Sequence, residues 1–197
     1  MTGDIVLAGQ SIRHLSPKAI ADLGLGHVPN DRLRDGLVPD FSIAENLILG
    51  QQRDRARRTG PFLDDAAIDE GGRKAILDYA IAAPGPGTVV RELSGGNAQK
   101  VLLAREFPKA RRCLLCHQPT RGLDVGVIAH VHGALRRLRD QGVAILLASE
   151  ELDELLALAD RLAVLFEGRI LGIFARHEID LQTIGALMAG HDERAMS

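Results

Sequence analysis

An α/β fold, with helices packed on a parallel sheet and a helical segment inserted in its middle, is predicted by three observations. Short apolar runs alternate with helical stretches beyond residue 112, as expected of parallel strands joined by helical crossovers. Residues 40–107 read as helical, with no clear strand. The chain has 197 residues, 46% of them hydrophobic and 25% charged, which suits one globular domain with a sizeable core.

The elements follow in order. Asp4 to Leu7, a turn at Gly9-Gln10 and Ser11 to Arg13 read as a strand and its continuation. Ser16-Pro17 is a helix start, with Ser as N-cap and Pro in the first turn, and that short helix stops at Gly24. Leu25 to Pro29 is a buried strand. Ser42-Ile43-Ala44-Glu45 is a capping box opening a helix to about Leu49. Asp64 or Asp65 caps a longer helix to about Ile81, interrupted or slowed at Gly71-Gly72, and Pro84-Gly85-Pro86-Gly87 is a loop. Ser94 caps a helix ending near Pro108. Strands at 113–116, 143–148 and 162–166 alternate with helices over about 127–139 and 151–159. Glu167-Gly168 turns a hairpin into 169–174, and a last helix follows Asp180 to about Ala189.

A net charge of −2 supplies no global field that favours nucleic acid or anionic lipid. The run Arg53, Arg55, Arg57, Arg58, broken by Asp54, reads as a solvated face. Met1-Thr2-Gly3-Asp4 lacks the basic start of a signal peptide. The apolar runs fall far short of the roughly 20 residues that span a bilayer. A cytosolic chain that reaches a membrane only through a partner is the expectation. Cys113-Leu114-Leu115-Cys116-His117 matches the haem-attachment pattern C-x-x-C-H. On a strand, positions three apart face opposite ways, so these thiols share neither a haem nor a disulfide. His130 and His132 fall on different faces of a helix and read as surface residues, not as a metal pair. The acidic cluster Glu150, Glu151, Asp153 and Glu154 complements a helix dipole.

The chemistry centres on Ser94-Gly95-Gly96-Asn97, where a loop becomes a helix. The first N–H groups of a helix lack internal partners and carry partial positive charge. Two glycines admit a phosphate close to the backbone, and the serine hydroxyl can donate a further hydrogen bond. An anion suits this place.

With their flanks, the segments LSGGNAQKVLLARE, CLLCHQPTRGLDVG and LLASEELDE resemble, in order and spacing, the ATP-binding cassette (ABC) ATPases. LGLGHVPNDR, LVPDFSIAENLILG and IGALMAG are most similar to the second cassette of tandem ATPases that serve simple-sugar and nucleoside uptake. The resemblance covers essentially the whole chain and implies an incomplete P-loop NTPase (RecA-like) core with an inserted helical subdomain. Residues 1–39 and 108–197 would be core pieces of one truncated domain, and 40–107 the helical signature subdomain. No G-x-x-x-x-G-K-[ST] phosphate loop occurs in the sequence. In the family that loop precedes the point where this resemblance starts, so the chain looks like a cassette lacking its Walker A portion.

The resemblance assigns Ser94, Gly95, Gly96 and Asn97 to the signature, which contacts ATP bound to the opposite cassette. It assigns Asp124 to the D-loop across the same interface. Other positions depart from a working ATPase. The Walker B acids are His117 and Gln118, the switch histidine is Glu150, and Asn30 stands at the Q-loop. Histidine is a poor partner for hard Mg²⁺, and glutamine cannot accept a proton as a general base. His117 otherwise reads as a core or interface histidine. The expectation is an ATP-binding importer subunit that shares ATP with a partner cassette, takes Mg²⁺ only through that partner and does not hydrolyse ATP alone. Its partners would be another cassette and the transmembrane permease, not nucleic acid, and it would sit at the inner face of the cell membrane. The alternative is a non-catalytic remnant or regulatory protein that binds a cassette without supporting transport.

Overall fold

Three parallel strands carry the chemistry-bearing loops. The structure, a computed structural model, describes residues 3–191; Met1-Thr2 of the amino-terminal stretch and residues 192–197 lie outside the described residues. The chain divides into two units, Met1–Ala148 and Ser149–Ser197.

The first unit begins with a two-residue hairpin, β1 (Val6–Leu7) and β2 (Gln10–Ser11), turned by the left-handed backbones of Ala8 and Gly9. Helix α1 (Pro17–Asp22) is capped by Ser16, whose hydroxyl accepts the Ala19 N–H. Strand β3 (Leu25–Val28) pairs in parallel with β6 (Cys113–His117), which pairs in parallel with β7 (Ala144–Ala148). In β6, Leu114 and Cys116 are buried while Cys113 and Leu115 are half-buried. The two thiols thus take opposite faces, and neither is in a disulfide. Burial pushes the Cys113 thiol pKa up, which leaves it a poor nucleophile.

Between β3 and β6 runs the largely helical segment. Helix α2 (Ile43–Ile48) starts in a full capping box: Ser42 Oγ accepts the Glu45 N–H and Glu45 accepts the Ser42 N–H. The expectation of no strand in this segment fails at one point. A two-residue ladder, β4 (Arg58–Thr59) with β5 (Phe62–Leu63), turns at Gly60-Pro61. Two paired residues carry too little periodicity to register in a sequence. Arg53, Arg55 and Arg58 are exposed, whereas Arg57 is half-buried with its Nε enclosed.

Helix α3 (Asp65–Asp78) runs unbroken through Gly71-Gly72, so no interruption occurs there. A methyl group at Gly72 would lie 2.6 Å from Pro86 Cβ, so this glycine lets the 84–87 loop pack on the helix. Helix α4 (Gly95–Glu106) follows its Ser94 N-cap and is buried over most of its length, including Val101, Leu102 and Leu103. Helix α5 (Val125–Asp140) links β6 to β7.

A buried ionic cluster joins α4 to the sheet. Glu106 Oε1 accepts from Arg105 Nε at 2.6 Å and Lys109 Nζ at 2.9 Å, and Oε2 accepts the His27 N–H of β3 at 3.3 Å. Arg105 Nη2 also donates to the Gly36 carbonyl, and Lys109 to that of Leu49 at 3.2 Å. Burial alone would raise the Glu106 carboxyl pKa; the Lys109 and Arg105 charges outweigh it and hold the group below its ordinary value.

The second unit holds helix α6 (Leu152–Leu158), strands β8 (Arg161–Phe166) and β9 (Arg169–Ala175), and helix α7 (Leu181–Met188). Leu162, Val164, Ile184 and Leu187 form its core. The expected place of residues 162–166 in a parallel series is not what the structure has. Among the described residues, β8 pairs only with β9, and antiparallel. Glu167 and Gly168 both have positive φ, the conformation of a tight two-residue hairpin loop, which forces antiparallel pairing. Among the described residues, no helix is long and apolar enough to cross a membrane.

Candidate functional site

Two helix N-termini of the first unit meet at the site. Ser94 caps α4 and Asp124 caps α5, Asp124 Oδ1 accepting the Val127 N–H at 3.0 Å. A methyl group at Gly96 would lie 3.2 Å from Val127 Cγ2 and 3.9 Å from Asp124 Oδ2. Gly96 is therefore where α4 passes the first turn of α5 at close range. This brings Ser94, Gly95, Gly96, Asn97 and Asp124 into one neighbourhood.

At Gly95 the crowding differs. A methyl group there would lie 2.7 Å from Arg32 Nη2, the far end of a flexible side chain. Arg32 Nη1 donates to the Arg121 carbonyl at 3.2 Å, bridging the turn after β3 to the loop after β6. Sequence reasoning missed Arg32. It follows Asn30-Asp31 directly, but nothing in the sequence signals that it reaches a glycine so far along the chain. Asp31 anchors that turn by accepting the Leu33 and Arg34 N–H groups. Asn30 itself is exposed at the end of β3.

The loop from β6 to α5 is tightly wound. His117 is exposed, not a core histidine: it is the last residue of β6, beyond the buried Leu114 and Cys116. Gln118 is 5% exposed with φ of 51°, a left-handed backbone that costs a non-glycine residue on the order of 1 kcal/mol. Its N–H donates to the Ala148 carbonyl at 2.8 Å, and its carbonyl accepts from Arg121 N at 3.2 Å. A Leu123 N–H to Thr120 carbonyl bond at 3.1 Å completes the turn into Asp124. Glu150 belongs to the second unit and is exposed.

Asn97 is more engaged than its neighbours. Its Oδ1 accepts the Ala82 N–H at 2.8 Å and its Nδ2 donates to Ser94 Oγ at 3.0 Å. Lys100, one turn on, donates to the Ala80 carbonyl at 2.7 Å. The chain leaving α3 is thus tied to the first turns of α4.

His130 and His132 are half-buried, not surface residues. His130 lies beside the buried stripe Val127, Val131, Ala134 and Leu135 of α5, and its Nε2 is enclosed with no hydrogen-bond partner among the described residues. Among the described residues, no three His, Cys, Asp or Glu side chains gather to hold a metal ion. Neither His117 nor Gln118 carries a carboxylate, the side chain that most often binds Mg²⁺.

No protein-family model matches the chain. It is 42% identical over 193 residues to the guanosine import ATP-binding protein NupO of Bacillus subtilis (strain 168), covering 98% of this chain and 38% of that protein. It is 39% identical over 189 residues to the nucleoside import ATP-binding protein NupA of Lactococcus lactis subsp. cremoris (strain MG1363), covering 96% and 37%. The chain thus spans under two-fifths of the length of these curated relatives. Among solved structures it is similar to the ATP-binding cassette MJ0796 in a dimeric post-hydrolysis state bound to ADP and Pi. There the TM-score is 0.72 at 17% identity, over 89% of this chain and 74% of that one. The ADP conformation of MJ1267, an ATP-binding cassette of an ABC transporter, gives a TM-score of 0.69 at 18% identity, over 99% and 75%. The fold of this chain is that of an ATP-binding cassette.

Proposed function

We propose that this chain is a nucleotide-binding component of an ABC importer for nucleosides or simple sugars, and that it completes an ATP site held mainly by a partner cassette. The observation that carries this reading is the pairing of Ser94-Gly95-Gly96 at the N-terminus of α4 with Asp124 at that of α5. The importer relatives support the cargo class. The open backbone N–H groups of α4 and the Ser94 hydroxyl are donors for phosphate oxygens. Asp124 borders the same neighbourhood. Gln118 can hydrogen-bond a water but cannot take its proton, so the catalytic base and the Mg²⁺ belong to the partner.

Residues 30–49 then form the surface toward a transmembrane permease, which would place the protein at the inner face of the cell membrane. Exposed Leu33 and Phe41, at 45% and 40% exposure, give that surface apolar contacts. The domain reading follows from the same proposal, with 1–39 and 108–197 as core pieces and 40–107 as the signature subdomain.

The test mixes the full chain with an ATPase-competent partner cassette and follows phosphate release. Stimulation that disappears with Ser94→Arg supports the reading. No stimulation by the wild-type chain at any ratio sinks it in favour of a non-catalytic remnant or regulatory protein. ATP hydrolysis by the chain alone contradicts both.

A further inference from the structure

A hydroxyl group has one proton to donate and two lone pairs to fill. Ser94 Oγ accepts two N–H groups, both from Asn97: the backbone N–H at 3.4 Å and the side-chain Nδ2 at 3.0 Å. Its lone pairs are engaged, and it donates to no other group among the described residues. Ser94 is exposed, so its proton is directed to solvent or to a ligand.

The orientation of the Asn97 amide decides this arrangement. Its other end faces the backbone N–H of Ala82 at 2.8 Å. A backbone N–H only donates, so the atom facing it must be the amide oxygen. That choice turns the NH₂ group toward Ser94. Ala82 is itself held, because Lys100 Nζ fixes the Ala80 carbonyl at 2.7 Å in a turn where Ala80 has φ of 49°. A run of directed bonds therefore leads from the end of α3, through Asn97, to the hydroxyl at the head of α4.

We propose that Asn97 is a positioning residue: it presets the Ser94 hydroxyl as an obligate donor toward a phosphate oxygen of the shared nucleotide and does not itself contact that nucleotide. This rests on the composite ATP site proposed above. A preset donor needs no rotor search when the anion arrives, and it disfavours ligands that present a donor at the same point.

The test is a double-mutant cycle on the stimulated ATPase of a competent partner cassette, with the full chain saturating. The readout is the MgATP concentration that gives half the stimulated rate. Ser94→Ala and Asn97→Ala are each expected to raise it about tenfold, the size of a lost charge-assisted hydrogen bond. If Asn97 acts only through Ser94, Asn97→Ala added to Ser94→Ala raises it no further. Effects that multiply would mean direct contact and overturn the proposal, as would an Asn97→Ala chain that is folded and unchanged. If Asn97→Ala fails to fold, Asn97→Asp replaces it. The carboxylate still accepts from Ala82 but draws the Ser94 proton inward, so the loss should be larger with Ser94 present than in the Ser94→Ala background. Equal losses in both backgrounds would reflect added charge alone and also overturn the proposal. If the wild-type chain gives no stimulation, the composite-site reading fails and this proposal with it. Wild-type stimulation combined with multiplying effects fails the proposal alone.

Discussion

Tyr79 and His130 meet edge to face, with ring centroids 6.3 Å apart and planes at 60°, so the C-cap residue of α3 touches the first half of α5. Burial, then the nearby Lys100 and Arg137 charges, push the His130 pKa below its ordinary value. The folded protein thus binds a proton at His130 less readily than the unfolded chain. This contribution to stability is fully present above the ordinary histidine value of 6.5 and declines as pH falls below it. Replacing His130 with Phe keeps the ring contact and removes the enclosed, unpartnered Nε2. Urea midpoints of His130→Phe at pH 7.5 and 5.5 should lie closer together than those of wild type. At neutral pH the variant should gain on the order of 1 kcal/mol. An unchanged pH dependence would show that His130 does not carry it.

Helix starts were legible because each is written in a few adjacent residues. Ser16, Ser42, Asp64, Ser94 and Asp180 all cap where the sequence places them. The folding of Glu167-Gly168 into a hairpin was equally local. Relations between distant residues were not legible. The Arg32 guanidinium over Gly95 and the three-way cluster at Glu106 depend on how α4 lies against β3. The half-burial of His130 depends on how far the apolar stripe of α5 spreads around that helix. The adjacency of Ser94 and Asp124 followed from family resemblance, since no periodicity brings two separate helix starts together.

Asn46 is fully buried and satisfied. Its Oδ1 accepts from Val38 N at 2.8 Å, and its Nδ2 faces the carbonyls of Val38, Phe41 and Ser42 at 3.0, 3.3 and 3.0 Å. One side chain thus holds the loop that enters α2, within the proposed permease-facing surface. Asn46→Ala leaves the Val38 N–H without its partner, while the three carbonyls keep their backbone N–H donors, and should cost about 2–3 kcal/mol by chemical denaturation. Amide exchange should quicken first at Val38. A loss below about 0.5 kcal/mol would mean that water replaces the amide.

Gly26 of β3 sits where α4 ends. A methyl group there would lie 2.7 Å from the Glu106 carbonyl oxygen and 2.8 Å from Ala110 Cβ. One of these is backbone and cannot rotate away. Gly26→Ala should therefore destabilise the chain by about 1–3 kcal/mol, the usual cost of overpacking. Gly122→Ala, with nothing within 4 Å of its added methyl but φ of 68°, separates crowding from backbone strain. Its smaller expected cost, about 1 kcal/mol, comes from the left-handed conformation alone. Equal losses in the two variants would remove the packing explanation for Gly26.

Among the described residues, Glu106 is the carboxylate that pairs with both the buried Arg105 and the half-buried Lys109. Glu106→Gln keeps the shape but leaves both cations without a counter-charge. Breaking a buried ion pair from one side costs roughly 3–5 kcal/mol. Folding of the variant should be marginal, and its thermal midpoint well below that of wild type. The pH dependence gives a second check. The Glu106 carboxyl is held below its ordinary value of 4.5 in the folded chain. Its stabilising contribution is therefore complete above that value and is lost as pH falls through the lower folded-state one. Wild type should lose stability on acidification below about pH 4.5 more steeply than Glu106→Gln, which has no proton to take up there. Parallel acid profiles would place the acid sensitivity on other carboxylates and reduce Glu106 to a packing role. A variant as stable as wild type at pH 7 would mean that Arg105 and Lys109 reach solvent once freed.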